Sequence, residues 1–161
     1  MKEFVIRKVE EKELQELAVL ADKLWHQAYG NLLSPGQIDY MVQKFQSVEA
    51  FKQQLAQGYT YLGVFSDGVL KGYAGSVVHE DRIFLSKLYL DKSVQKKGLS
   101  RRLMEKTAKL YPELRSIYLT VNKYNPSYNI YRHLGFKVID SVVTDIGEGY
   151  VMDDYVMQLD Y

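Results

Sequence analysis

No cysteine occurs among the 161 residues, which removes disulfides, thiolate metal sites and a cysteine nucleophile together. That absence fits a reducing compartment, and the cytoplasm is the expected location. No stretch approaches the roughly 18 consecutive apolar residues of a membrane span, and Met1-Lys-Glu-Phe-Val-Ile-Arg-Lys alternates charge with apolar side chains where a secretion signal would be continuously apolar. A soluble chain with no membrane partner is expected. Charge of one sign is lacking too: 21 Lys plus Arg stand against 20 Asp plus Glu, a formal +1 that offers no basic surplus for nucleic-acid phosphates. There is no repeat, low-complexity tract or linker, and the length suits one domain, 1–161, with a real core.

What is present is apolar and aromatic: hydrophobic residues make up 47% and aromatic ones 13%, with 14 tyrosines, so phenols remain to line a site after the core is filled. Residues 4–9 read as a strand, and in 10–29 Leu14, Leu17, Ala21, Leu24, Trp25 and Ala28 recur at helical spacing. Ser34-Pro35 supplies a cap and a first helical position for a helix to Phe45, and 48–57 makes a third that Gly58 stops. The period then changes. Residues 59–65 and 69–78 flank Ser66-Asp67-Gly68, a tight-turn signal for a hairpin, and 82–90 adds a third strand. A helix beginning near Leu99 ends before Pro112, 115–121 is a strand, and Asn125-Pro126 opens a helix that Gly135 closes. Residues 136–143 and 151–159 are two closing strands joined by a glycine-bearing connector over 145–150. The class is α/β around one sheet.

Two stretches carry chemistry. In the first, a strand delivers the chain to Gln95-Lys96-Lys97-Gly98-Leu99-Ser100, where a helix begins, so unpaired N–H groups and the positive end of the helix dipole face one point. Gly98 permits close backbone approach to a phosphate, and Lys96, Lys97, Arg101 and Arg102 surround it with positive charge. Taken alone, the same residues read as a solvated turn before an amphipathic helix. The spacing is neither that of a P-loop nor that of the three-glycine dinucleotide turn, so nucleotide hydrolysis is not expected.

In the second stretch, Asn122 sits at a strand end and Asn125 at a helix cap, placing two amides where a ligand between strand and helix could meet them. Tyr131, almost two turns further on, is a phenol that stays protonated at neutral pH and can give a proton to a leaving group; packing beside Ile130 and Leu134 is the alternative.

Together these stretches resemble the acetyl-CoA-binding motifs of the GNAT superfamily of N-acetyltransferases. Gln95, Gly98 and Ser100 match the family's Gln/Arg-x-x-Gly-x-Gly/Ala loop, with serine in the last place, and Asn125, Tyr131, Leu134, Gly135 and Phe136 match its later motif. The resemblance implies a mixed, mostly antiparallel sheet of about seven strands flanked by helices, with acetyl-CoA as co-substrate. It implies that the loop grips the pyrophosphate, that backbone groups of Leu88, Tyr89 and Leu90 hold the pantetheine arm and thioester, and that Tyr131 protonates the departing thiolate. The acceptor would be a primary amine of a small molecule such as a polyamine, taken up in a ternary complex without an acyl-enzyme. A peptide acceptor, or a sensor that binds acyl-CoA without catalysis, is the alternative. By the same resemblance the acceptor lies under the first two helices and the last hairpin, which makes Trp25, Tyr29 and Tyr40 candidates for its wall, and a homodimer is a common assembly.

The resemblance also implies an acid near Ser86 to deprotonate the amine, where this chain has serine, and His79, Glu80 and Asp81 in the preceding turn are more simply read as solvated. The segment 145–154 holds Asp145, Glu148, Asp153 and Asp154 and no base, which would attract a cation or merely solvate a hairpin. His26, His79 and His133 show no metal-ligand spacing, and no metal is expected.

Overall fold

The computed structural model describes residues 3–161. Their order is β1 (Phe4–Lys8), α1 (Leu14–Tyr29), α2 (Pro35–Phe45), α3 (Val48–Ala56), β2 (Thr60–Ser66), β3 (Val69–His79), β4 (Arg82–Leu90), α4 (Leu99–Lys109), β5 (Ser116–Asn122), α5 (Ser127–His133), β6 (Lys137–Gly147) and β7 (Tyr150–Asp160), with single 3-10 turns at Glu11–Glu13 and Lys92–Val94. Two helices start as their sequences dictate: Ser34 Oγ accepts the Gln37 N–H at 3.1 Å and Ser47 Oγ the Ala50 N–H at 3.2 Å, with Pro35 in the first position of α2.

The strands form one sheet in the order β1-β2-β3-β4-β5-β7-β6, antiparallel except where β4 meets β5. On one face, α4 packs Leu99 and Leu103 against Val64, Ile83, Leu85 and Ile117. On the other, α1 and α3 cover Tyr61, Phe65 and Tyr73 with Leu17, Leu24 and Phe51. A third cluster joins Trp25 and Tyr29 of α1 and Ile38 and Met41 of α2 to Ile146 and Met152 of the last hairpin. The mixed α/β class and the seven-stranded, mostly antiparallel sheet agree with the sequence expectation.

Two boundaries differ from it. The first helix was expected from residue 10 and its α-helical part begins at Leu14, because Glu13 accepts the Glu10 N–H at 2.9 Å and chelates Arg7 at 2.8 Å, holding the entry in a 3-10 turn. The expected connector over 145–150 is mostly ladder: Asp145 pairs with Val151 and Gly147 with Tyr150, leaving Ile146 as a bulged residue turned into the core. Only Glu148 and Gly149 turn the chain, both at positive φ, the two-residue geometry that matches strand twist.

Candidate active site

The parallel pairing of β4 with β5 is confined to Ile83 with Ile117 and Phe84 with Tyr118, after which the strands part. The cause is local. Across β3 and β4, Gly75 faces Lys87 and Ser76 faces Leu85, so Ser86 is the extra residue of a β-bulge, a device that bends a strand and increases its twist. The bulge also changes which side chains share a face: Ile83 and Leu85 point into the α4 core, whereas Lys87 and Tyr89 point to the opposite side beneath α1 and α3. The opening between the strands gives access to both sides of the sheet.

On the α4 side lies the loop singled out by sequence. Gly98 caps α4 in the left-handed region at φ 75°, and Lys96 before it is also left-handed at φ 62°. Residues other than glycine seldom hold such a conformation, so the loop is locally constrained. The first three N–H groups of α4, on Leu99, Ser100 and Arg101, have no hydrogen-bond acceptor among the described residues, the first closed bond being Arg102 N–H to Gly98 O at 3.2 Å. The Gln95 amide donates to the Leu90 carbonyl at 3.0 Å and ties the loop to the end of β4. Asp91 accepts from Ser93 at 2.7 Å and from Lys23 at 3.3 Å, and these bonds hold its carboxyl below the usual range. A cavity of about 360 Å³ runs from Gln95, Lys96, Gly98, Ser100 and Arg101 to Ile130 and His133 of α5. Lys97 is exposed and outside the lining, so it offers the cavity a field rather than a wall, whereas Leu99 lines the cavity although its side chain is buried in the core.

Tyr131 borders a smaller hollow with Leu88, Leu90, Gln95, Ser100 and Ser127, next to the free end of β4. Burial pushes its phenol well above the ordinary value, with Tyr29 adding to the shift, so it is a proton donor across the physiological range. Asn122 and Asn125 commit their side-chain oxygens to local turns, accepting Tyr124 N–H and Ser127 N–H at 2.9 Å each. Contrary to the sequence expectation, the two amides do not meet one ligand: Asn122 lines the cavity on the opposite side of the sheet, and Asn125 borders a hollow with Pro126, Ser127 and Ile130.

On the opposite side a cavity of about 380 Å³ opens under α1, α2 and the last hairpin. Trp25 and Tyr29 form part of its wall, their ring centroids 4.6 Å apart and their planes tilted by 39°, and Tyr89 joins them 5.8 Å from Trp25. Tyr40 does not line it, contrary to the sequence expectation. Its hydroxyl donates to the Ile146 carbonyl at 2.8 Å and its ring meets Tyr150 edge-on at 5.3 Å, so it braces the hairpin that carries the wall. Ser86 lines the cavity, whereas His79, Glu80 and Asp81 do not, and His79 is engaged with the Tyr118 hydroxyl at 2.8 Å.

Two ionisable groups on this wall were not singled out by sequence as site residues. Asp154 faces Asn122 across the β5–β7 ladder, is 8% exposed, and its Oδ1 is buried without a hydrogen-bond partner. Burial, reinforced by the neighbouring Asp153, raises its carboxyl to about 6. Lys87 is 5% exposed, and desolvation lowers its amine to about 7. Elsewhere, His26 joins Asp22 and Asp39 in an exposed group whose ligand atoms lie within 4.8 Å of one another, a proximity between α1 and α2 that histidine spacing alone does not disclose.

The comparisons agree with this geometry. An acetyltransferase (GNAT) domain model matches residues 20–156. The chain is similar in fold to the PaiA N-acetyltransferase of Thermoplasma acidophilum in complex with coenzyme A, with TM-score 0.86 and 23% identity over 99% of each chain. It is also similar to the ribosomal-protein-S18-alanine N-acetyltransferase of Escherichia coli, with TM-score 0.69 and 18% identity over 98% of this chain and 94% of that one. A search by sequence among curated proteins gave no match. With the family model spanning most of its length, the parted central strands and the N–H-lined loop, the chain belongs to the GNAT acetyltransferase family.

Proposed function

We propose that this chain transfers the acetyl group of acetyl-CoA directly to the primary amine of a small molecule. The observation that carries the reading is the break in the β4–β5 ladder after Phe84 and Tyr118, which leaves an N–H-lined, basic cavity on one side of the sheet and, on the other, a largely aromatic and apolar cavity into which Asp154 and Lys87 are set. The N–H groups of Leu99, Ser100 and Arg101 receive the pyrophosphate, with Lys96 and Arg101 supplying charge. Leu88, Tyr89 and Leu90 present backbone groups to the pantetheine arm and thioester. The Gln95 amide, by engaging the Leu90 carbonyl, fixes where that edge ends.

In this reading the acceptor nitrogen approaches from the cavity of Trp25, Tyr29 and Asp154. The buried carboxylate of Asp154 is the group fit to meet an ammonium and take its proton, the task that Ser86 cannot perform. The neutral amine then attacks the thioester carbonyl, the carbon–sulfur bond breaks, and Tyr131 gives its proton to the thiolate; the proton that the nitrogen sheds as the amide forms leaves to solvent, from which the phenol is restored. No acyl-enzyme is required. The test is an acetyl-transfer screen over an amine library with detection of released thiol. Acetylated product in step with thiol supports the reading; coenzyme A binding without product from any amine favours a sensor.

A further inference from the structure

Lys87 is the group that the proposed chemistry leaves without a task. Its ammonium nitrogen donates to the Tyr61 hydroxyl at 2.7 Å and to Gln54 Oε1 at 3.0 Å, and Tyr61 in turn donates to the same Gln54 oxygen. Of the three N–H bonds on a lysine ammonium, two are therefore used and one is left over. The rings of Tyr61, Phe51 and Tyr59 lie 5.3, 5.7 and 5.9 Å from it. No carboxylate of the described residues lies within 4.0 Å of this nitrogen, although 20 acidic residues are available in the chain. A lysine nine-tenths buried and lacking a counter-ion is costly, because desolvation penalises the charge and no opposite charge repays it. The bulge at Ser86 creates this cost by turning Lys87 onto the cavity wall.

At another part of the same wall stands Asp154, a buried carboxylate with one unpartnered oxygen. No ion pair within 4.0 Å joins the two although both line one cavity, so they mark separate stations of its wall. A cavity with a bare carboxylate at one station and a bare ammonium at another is complementary to a ligand of the reverse polarity. A diamine fits only half of it, since its second ammonium would sit against Lys87 and be repelled.

Given acetyl transfer as proposed above, on which this rests, the geometry points to a zwitterionic acceptor: a small primary amine that also carries an oxyanion, carboxylate or phosphate, seated against Lys87. The amine end meets Asp154 and faces the thioester, and the oxyanion takes the spare N–H of Lys87. Lys87 thereby sets specificity rather than performing the transfer.

The test measures thiol release from acetyl-CoA with β-alanine, phosphoethanolamine, butylamine and putrescine, for the wild-type protein and for Lys87→Met, whose side chain keeps the length and loses the charge. The expected result is a wild-type kcat/KM for β-alanine or phosphoethanolamine at least about tenfold above that for putrescine, with the order reversed in Lys87→Met and the change carried by KM. Whichever of the two anionic acceptors is preferred tells carboxylate from phosphate. A wild-type enzyme that uses putrescine as well as either of them overturns the inference while leaving acetyl transfer intact. So does a Lys87→Met variant that loses kcat equally with every acceptor. Thiol release with none of the four defeats acetyl transfer to such small amines, and the zwitterionic acceptor with it. Should Lys87→Met fail to fold, the wild-type order of preference decides alone.

Discussion

The Lys87 amine reaches the Tyr61 hydroxyl at 2.7 Å inside a ring of aromatic side chains, and this contact is made without any acid nearby to balance the charge. Desolvation holds the folded-state value near 7 against 10.5 for an exposed lysine. Because the folded value is the lower one, the penalty is full below pH ~7, fades as the pH rises, and is gone above the unfolded value. The melting temperature of Lys87→Met minus that of the wild type is therefore expected to be positive at pH ~6 and to shrink steadily towards pH ~9. Thermal melts at a series of pH values check this. A difference that stays constant would show that the amine is not desolvated as described.

Tyr131 offers a second prediction. Its phenol is buried and borders the hollow next to the parted strands, so replacing it by phenylalanine removes the proton donor and little packing. Turnover of Tyr131→Phe should fall about a hundredfold or more, the scale of general acid catalysis, while acetyl-CoA affinity changes by less than about threefold. Steady-state kinetics with calorimetry of cofactor binding separates the two. Unchanged turnover would remove the acid role.

How much of this was legible in the sequence depends on the range of the interaction. The helix cap at Ser34, the Asp67-Gly68 turn and the loop ending in Gly98 are set by neighbours a few residues apart, and the chain declares them. The register between Gly75 and Lys87 is not of that kind. In a strand of regular alternation Lys87 would share a face with Leu85, and only the bulge at Ser86, a relation between two strands, moves it onto the cavity wall. Asp154 was one of four acids in its segment, and which of them is buried follows from its pairing with Asn122. Tyr40 was placed on the right helix for the acceptor wall, but its long reach to the Ile146 carbonyl takes the hydroxyl elsewhere.

Gly98 separates backbone strain from packing. A Cβ there would meet nothing within 4 Å, yet the residue is left-handed at φ 75° and sits where an anion must approach the N–H groups of α4. Gly98→Val should weaken coenzyme A binding by about tenfold or more, since a branched side chain strains the loop and fills the approach. Gly58 makes the control: it too is left-handed, at φ 97°, with nothing within 4 Å, and it lies outside the cavities described above. Gly58→Val should lose stability comparably and keep its affinity. Calorimetry on both variants reads the difference.

Asp154 carries the last prediction, because its environment gives opposite signs for stability and for activity. Burial and Asp153 raise the carboxyl to about 6 from 3.8, so the folded state prefers the protonated form. The ionised group therefore costs stability in full above pH ~6, and the cost disappears below the unfolded value. Asp154→Asn should accordingly melt a few degrees higher than the wild type at pH ~7. The same ionised form is the one that accepts a proton from the amine, so wild-type kcat/KM should fall as the pH drops through ~6. Asp154→Asn should be slower at neutral pH by at least about tenfold and lose that inflection. A variant that is both more stable and less active fits a carboxylate kept buried for its chemistry. One that is more stable and equally active would place the proton acceptor in solvent instead.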